Sequence, residues 1–152
     1  FHGTICPLEA FSEVSEEQRT PEMRHAIVRG VEFLLMHRLF KADHHSYKVI
    51  NRHWLKFSFP WFYRYDVLRG LSVLTRLDYI QDERLKDALG LLLQKHCPDG
   101  TWLLDNAPTG RMQTNLETVG KPSKWITINA LRILKRLYER RNEQLKKVLA
   151  KA

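Results

Sequence analysis

Apolar residues recur along this chain at helical rather than strand spacing, and they do so in separate blocks. Ile5, Leu8, Phe11 and Val14 put one stripe on a helix over residues 4–14. A second helix opens at Thr20-Pro21, a capping threonine followed by proline at the first helical position. It carries Ile27, Val31, Leu34 and Leu35 and runs to about residue 38. A third starts close to Tyr65 with Leu68, Leu71 and Leu74, and a fourth at Asp82 with Leu85, Leu89, Leu92 and Leu93. A fifth covers residues 125–140, and a sixth begins near Glu143. The pattern contains no convincing strand, a local pairing of "MQTNLETV" aside. The expected class is all-α.

The helices also repeat. Shifting the first by 60 residues, and then by 63 more, aligns "HGTICPLEAFSEV", "FYRYDVLRGLSVL" and "WITINALRILKRL" without gaps. Leu8, Leu68 and Leu131 share one column, Phe11, Leu71 and Leu134 a second, and Val14, Leu74 and Leu137 a third. The alternate helices match as well, with Ile27, Val31 and Leu34 against Leu85, Leu89 and Leu92, and Leu145 and Leu149 starting the series again. The unit is a helix hairpin, present about two and a half times. A hairpin with one apolar stripe buries it only against neighbours, so an open superhelix or a closed two-layered ring follows.

Size and charge narrow this further. The chain has 152 residues, enough for one domain with a substantial core. It begins "FHGTI" without a methionine and reads as a single domain over residues 1–152 or as the C-terminal half of one. Two cysteines, Cys6 and Cys97, imply no disulfide framework, and with no signal peptide or spanning segment in view the expected location is cytoplasmic. The formal charge of +8 is densest in "LKRLYERRNEQLKKVLAKA", where Glu139 and Glu143 interleave with the cations. That pattern reads as a solvated helix face, not as a nucleic-acid interface.

One turn stands out. In "KHCPDGTWLLDN" an apolar helix ends, Asp99-Gly100 reverses the chain, and Trp102 follows at once. A tryptophan placed there can fold back over the hairpin and find an acceptor for its indole N–H, clasping one repeat to the next. "DGTW" closing a hairpin, followed by "PSKWITINALRIL", resembles the α/α-toroid superfamily of terpenoid and squalene cyclases and protein prenyltransferase β subunits. The likeness is nearest to bacterial squalene-cyclase-like proteins, C-terminal half. Asp99, Gly100 and Trp102 match the family's D-G-x-W turn, and Thr127, Ala130 and Leu131 match the T-x-x-A-L opening of an inner helix. His96 stands where that family's repeat usually has glutamine, and no D-x-D-D motif is present. The resemblance implies an α/α toroid, part of an α6/α6-type barrel. It implies an apolar polyprenyl-type ligand in a central cavity, and cyclase-like or prenyltransferase-like chemistry.

In such a ring the first turns of the inner helices border the cavity. The aligned columns are His2/Phe62/Trp125, Thr4/Arg64/Thr127 and Cys6/Asp66/Asn129, with Tyr65 beside them. An aromatic rim above a few polar groups suits an apolar ligand, and aromatic faces stabilise a developing carbocation. The plainer reading makes Phe62, Tyr65 and Trp125 core and gives Asp66, Thr127 and Asn129 to helix-start amides. No cofactor is implied. A zinc set of His2, Cys6 and Asp66 is the one metal arrangement the columns offer, and its ligand types are those of the prenyltransferases.

Outside the columns, His44, His45 and His53 lie in a polar connector without ligand spacing, and the aromatic "FSFPWFY" is expected to pack over a ring edge or across the cavity mouth. The long loop over residues 103–124 is a candidate cap, with Arg111 a candidate for an anionic group such as diphosphate. The expected partners are an apolar or prenyl-type small molecule, together with the remaining half of the ring or another subunit. The alternative is a non-catalytic α/α module that binds protein or lipid.

Overall fold

A computed structural model describes residues 1–44, 46–108, 114 and 116–149, with the backbone alone for residues 145 and 147–149. The described residues are all-helical, without a strand. Five α-helices are present: α1 (His2–Ser12), α2 (Pro21–Met36), α3 (Val67–Arg76), α4 (Lys86–Gln94) and α5 (Lys124–Leu149).

Local chemistry sets most of these boundaries. Thr20 caps α2 by accepting from the Met23 N–H, with Pro21 in the first turn. Asp66 caps α3 through the Arg69 N–H, and Ser123 Oγ accepts from the Ile126 N–H at the start of α5. The third helix ends at Asp78, which takes φ +70° so that the Tyr79 N–H can reach the Leu74 carbonyl. Asp82 caps a 3₁₀ turn over Glu83–Leu85, so the regular helix begins at Lys86, four residues later than the apolar spacing suggests.

The fifth and sixth helices of the sequence reading are one. No glycine or proline interrupts residues 124–149, and the Arg136–Glu139 and Arg140–Glu143 pairs support continuation through the expected break. Among the described residues there are thus two helix pairs and one long helix, and the expected sixth helix is the continuation of the fifth.

The packing is ordered. The first helix packs on α2 and α3, and α3 packs on α4 and α5. At one end Phe1 and His2 of α1 meet Tyr65 and Tyr63, beside the start of α3, and Phe59 stacks on Trp125 in the first turn of α5. At the other end Arg76 of α3 pairs with Glu13, just beyond α1, and Asp78 pairs with Arg136 and Arg140 of α5. The starts of the three helices lie together, α1 and α3 end together, and the end of α3 meets the middle of the longer α5, so α1, α3 and α5 stand side by side and run parallel.

The third helix is the centre, with Val67 to Leu71, Val73 and Leu74 all buried. Its Gly70 lies under the Tyr65 hydroxyl, where a Cβ would come within 2.6 Å of the oxygen. The columns are unequal in depth. Leu8 and Leu68 are buried, whereas Leu131 is 51% exposed, because α5 has α3 on one side only and buries Ile126, Ala130 and Ile133 instead.

Trp102 joins α4 to α5. Its indole N–H donates to the Leu92 carbonyl at 2.7 Å, its backbone N–H donates to Thr127 Oγ1 at 3.0 Å, and its ring meets His96 edge-on. Gly100 takes φ +85°, and Asp99 accepts from the Thr101 N–H and hydroxyl, which shapes the turn that brings the ring back. Replacing Trp102 with alanine is expected to cost about 3–5 kcal/mol of unfolding free energy through the void it leaves. Replacing it with phenylalanine should cost about 1–3 kcal/mol, since the buried Leu92 carbonyl loses its donor. Urea unfolding of the two variants checks both values, and a negligible cost for phenylalanine would remove the indole hydrogen bond from the account.

Candidate functional site

Polar groups concentrate at the first turn of α3, where the sequence columns placed Cys6, Arg64, Tyr65 and Asp66. Asp66 is buried and its two oxygens are occupied. Oδ1 accepts from the Arg69 N–H at 2.8 Å, and Oδ2 accepts from the Ser58 N–H at 2.8 Å and from the Trp61 indole N–H at 3.0 Å. Burial pushes this carboxyl up to about 7, against the pull of those three donors and of the Arg69 guanidinium. The Tyr65 hydroxyl donates to the Leu39 carbonyl at 2.7 Å, and its pKa is raised by burial and by the neighbouring carboxylate.

Arg69 completes the centre. Its guanidinium donates to Glu9 of α1 through Nε at 3.0 Å, to the Arg64 carbonyl at 2.6 Å and to Cys6 Sγ at 3.7 Å. Glu9 also receives Arg76 at 3.1 Å. Glu9, Trp61 and Arg69 were not among the sequence candidates. A signal for two of them did exist, because Glu9 and Arg69 lie 60 residues apart and so occupy one column of the repeat with opposite charges.

The remaining candidates lie around this centre. His2 is exposed, in edge-type contact with the Trp54, Tyr63 and Tyr65 rings, and Thr4 is half-buried two residues further along α1. Phe62 and Tyr63 are 62% and 70% exposed, and Phe62 holds a left-handed backbone at φ +48°, a strained setting for a bulky side chain. Trp125 is 42% exposed and stacked on Phe59, with ring centres 5.0 Å apart. Thr127 serves the Trp102 amide, and Asn129 donates its side-chain amide to the Trp125 carbonyl. The structure thus gathers the candidates from α1 and α3 into one neighbourhood. Of those on α5, Trp125 reaches it through Phe59, whereas Thr127 serves Trp102 and Asn129 bonds within its own helix.

The zinc ligands are not brought together. Among the described residues no group of three or more His, Cys, Asp or Glu is placed to hold a metal ion, and Cys6 faces the Arg69 guanidinium. Of the connector histidines, His44 and His53 are exposed, while His45 lies outside the described residues, as does Arg111. Part of "MQTNLETV" also lies outside them. Two open clefts exist elsewhere, neither lined by any sequence candidate. One of about 630 Å³ runs between α4 and α5 and is lined by Ile80, Leu89, Leu93 and Leu137. The other, of about 390 Å³, lies by Ile27, Leu77 and Tyr79.

No protein-family model matches the chain, and neither does any curated protein or solved structure. What the site does is therefore read from its own geometry. Chemically it is a closed lock. Every oxygen of Asp66 and the guanidinium of Arg69 are already engaged, and a proton donor for an incoming molecule would have to break the cap of α3.

The titration of Asp66 gives the site a measurable signature. The group is protonated up to about pH 7 when folded and only to near the ordinary aspartate value of 3.8 when unfolded. The folded state binds the extra proton, so this contribution to stability is full below about pH 4 and is lost as pH rises to about 7. Asp66→Asn should remove that slope from urea midpoints measured between pH 4 and 8. It should also lower stability by about 1–3 kcal/mol, because an amide meets three N–H donors with one oxygen.

Proposed function

We propose that the chain forms part of an α/α ring whose inner helices are α1, α3 and α5, and that it binds an apolar, polyprenyl-type ligand where their first turns meet. The observation that carries this reading is the parallel run of the three helices, with Phe62, Tyr63 and Trp125 exposed at their shared end. Exposed rings set over helix starts offer apolar area together with a positive electrostatic end, which suits a hydrocarbon chain with an anionic head. The squalene-cyclase-like and prenyltransferase-like resemblance of the D-G-x-W turn and the repeat points the same way.

Binding is better supported than turnover. A cyclase needs a proton donor open to its substrate, and the Asp66 oxygens are committed to α3, Ser58 and Trp61. The second reading, a non-catalytic α/α module that binds a protein partner, is favoured by the cleft between α4 and α5, where Leu93 is 56% exposed.

Farnesyl and geranylgeranyl diphosphate are suitable probes, because the rim carries tryptophan. Binding is expected to quench tryptophan emission in a saturable way. Phe62→Ala combined with Trp125→Ala should weaken it about tenfold, the equivalent of ~1.4 kcal/mol. Incubation with squalene or either diphosphate should yield no cyclised or transferred product. Saturable binding that ignores both substitutions would move the ligand away from this rim. Absence of any binding leaves the protein-binding module as the standing function.

A further inference from the structure

The end of the molecule that gathers the starts of α1, α3 and α5 differs chemically from the opposite end. Phe62 and Tyr63 lead into α3, Trp125 opens α5, and all three are exposed. Lys56, Lys121 and Lys124 are exposed in the same connections. Residues 37–66, which supply much of this end, hold six lysines and arginines against two carboxylates; Arg38 and Lys41 are paired with Asp87 of α4, which leaves Lys48, Arg52, Lys56 and Arg64 as the rest of the basic set. The carboxylates here are mostly withdrawn: Asp66 is buried, Asp105 pairs with Lys95 at 2.8 Å, and Glu117 accepts from the Ser123 hydroxyl and the Lys124 amide. Asp99, in the turn before Trp102, is the exposed exception. At the opposite end Glu13, Glu16, Glu17 and Asp78 are all exposed, with Glu13, Glu16 and Asp78 in surface pairs with Arg76, Arg24, Arg136 and Arg140.

We propose that this aromatic, basic end docks on the surface of an anionic phospholipid bilayer and lies in the interface without crossing it. Three properties on one end carry the inference. The charge is complementary to an anionic leaflet, and the carboxylates that would oppose the approach are mostly buried or paired. Tyrosine and tryptophan rings with exposed faces suit the headgroup layer, where an apolar body and a polar tip are both accommodated. Lysine stems lie along apolar surface while their ammonium groups reach phosphate. Val49, Ile50 and Val119 are also exposed in these connections. Aliphatic side chains gain nothing from a nucleic-acid backbone but are buried by acyl chains, which favours a bilayer over the other polyanions. No described helix is long and apolar enough to cross a membrane. The contact is therefore peripheral.

The inference stands apart from the prenyl-ligand reading, since vesicles of plain phospholipid contain no prenyl chain. Co-sedimentation of the full chain with phosphatidylcholine vesicles, with and without phosphatidylglycerol, tests it. Binding is expected to require phosphatidylglycerol and to fall as salt is raised. Phe62→Ser with Tyr63→Ser, and separately Lys121→Glu with Lys124→Glu, should each weaken it about tenfold. Tyr138→Ser, at a residue 68% exposed far along α5, should leave it unchanged. Binding without lipid-charge dependence, or an equal loss in the Tyr138 variant, overturns the proposal. So does capture of DNA, RNA or polyglutamate through the same residues without vesicle binding. Wild-type lipid and salt dependence decides the matter even if a variant fails to fold.

Discussion

The third helix is surrounded, and that constraint organises the rest. A helix at the surface can leave its first N–H groups and last carbonyls to water, but a buried one must satisfy them from within the protein. Asp66 does so for α3 and also ties in Ser58 and Trp61, which fixes the aromatic segment over the helix start. Arg69 follows one turn later, on a helix whose other buried positions are apolar or glycine. A buried guanidinium without a partner costs several kcal/mol, so α1 must present Glu9 at that level. The two helices are thereby held in one register by charge, not only by the fit of Leu8 and Leu68.

This explains which parts of the structure were legible in the sequence. The first four helices follow from their stripes, because each buries a face that the 3.6-residue period writes into the residue order. The division of the last helix was not legible correctly. A break near Glu143 was inferred from repetition, whereas continuation depends on i,i+3 ion pairs and on the absence of a breaker. The columns found Cys6, Arg64, Tyr65 and Asp66 because the starts of α1 and α3 do face each other. They missed Arg69 and Glu9 because a charged residue inside an apolar stripe looks like a surface position until its partner is known. Trp61 was read only as part of the aromatic segment over the ring edge or cavity mouth, and its indole serves the α3 cap.

The hydrogen bonds of Trp102 show a second way in which a helix row is built. The third and fifth helices already touch along their length, but α4 reaches α5 through one side chain that takes the Leu92 carbonyl with its ring and Thr127 with its backbone. The fourth helix is nine residues long and leaves Leu93 exposed beside α5, so most of that flank stays uncovered. The 630 Å³ cleft is the direct consequence. A third hairpin partner would have filled it, and the unbroken run of α5 means that this chain's own residues 143–149 do not turn back to do so.

Parallel helices also have an electrostatic consequence. Three macrodipoles aligned side by side repel mildly, and each end collects partial charge of one sign. Where α1 and α3 end the compensation is external: Arg76 meets Glu13, and Arg136 and Arg140 from the middle of α5 meet Asp78, all at or near the surface. At the N-terminal ends it is internal, with Asp66 buried under α3 and Glu117 turned onto the first residues of α5, while α1 has no acid in its first turn. The same arrangement that steadies the helices therefore draws carboxylates inside at one end and leaves them at the surface, ion-paired, at the other. A surface left with exposed lysines and aromatic rings is what remains once the capping carboxylates have been drawn inside, and it is the natural side for an anionic or lipid-like partner to approach.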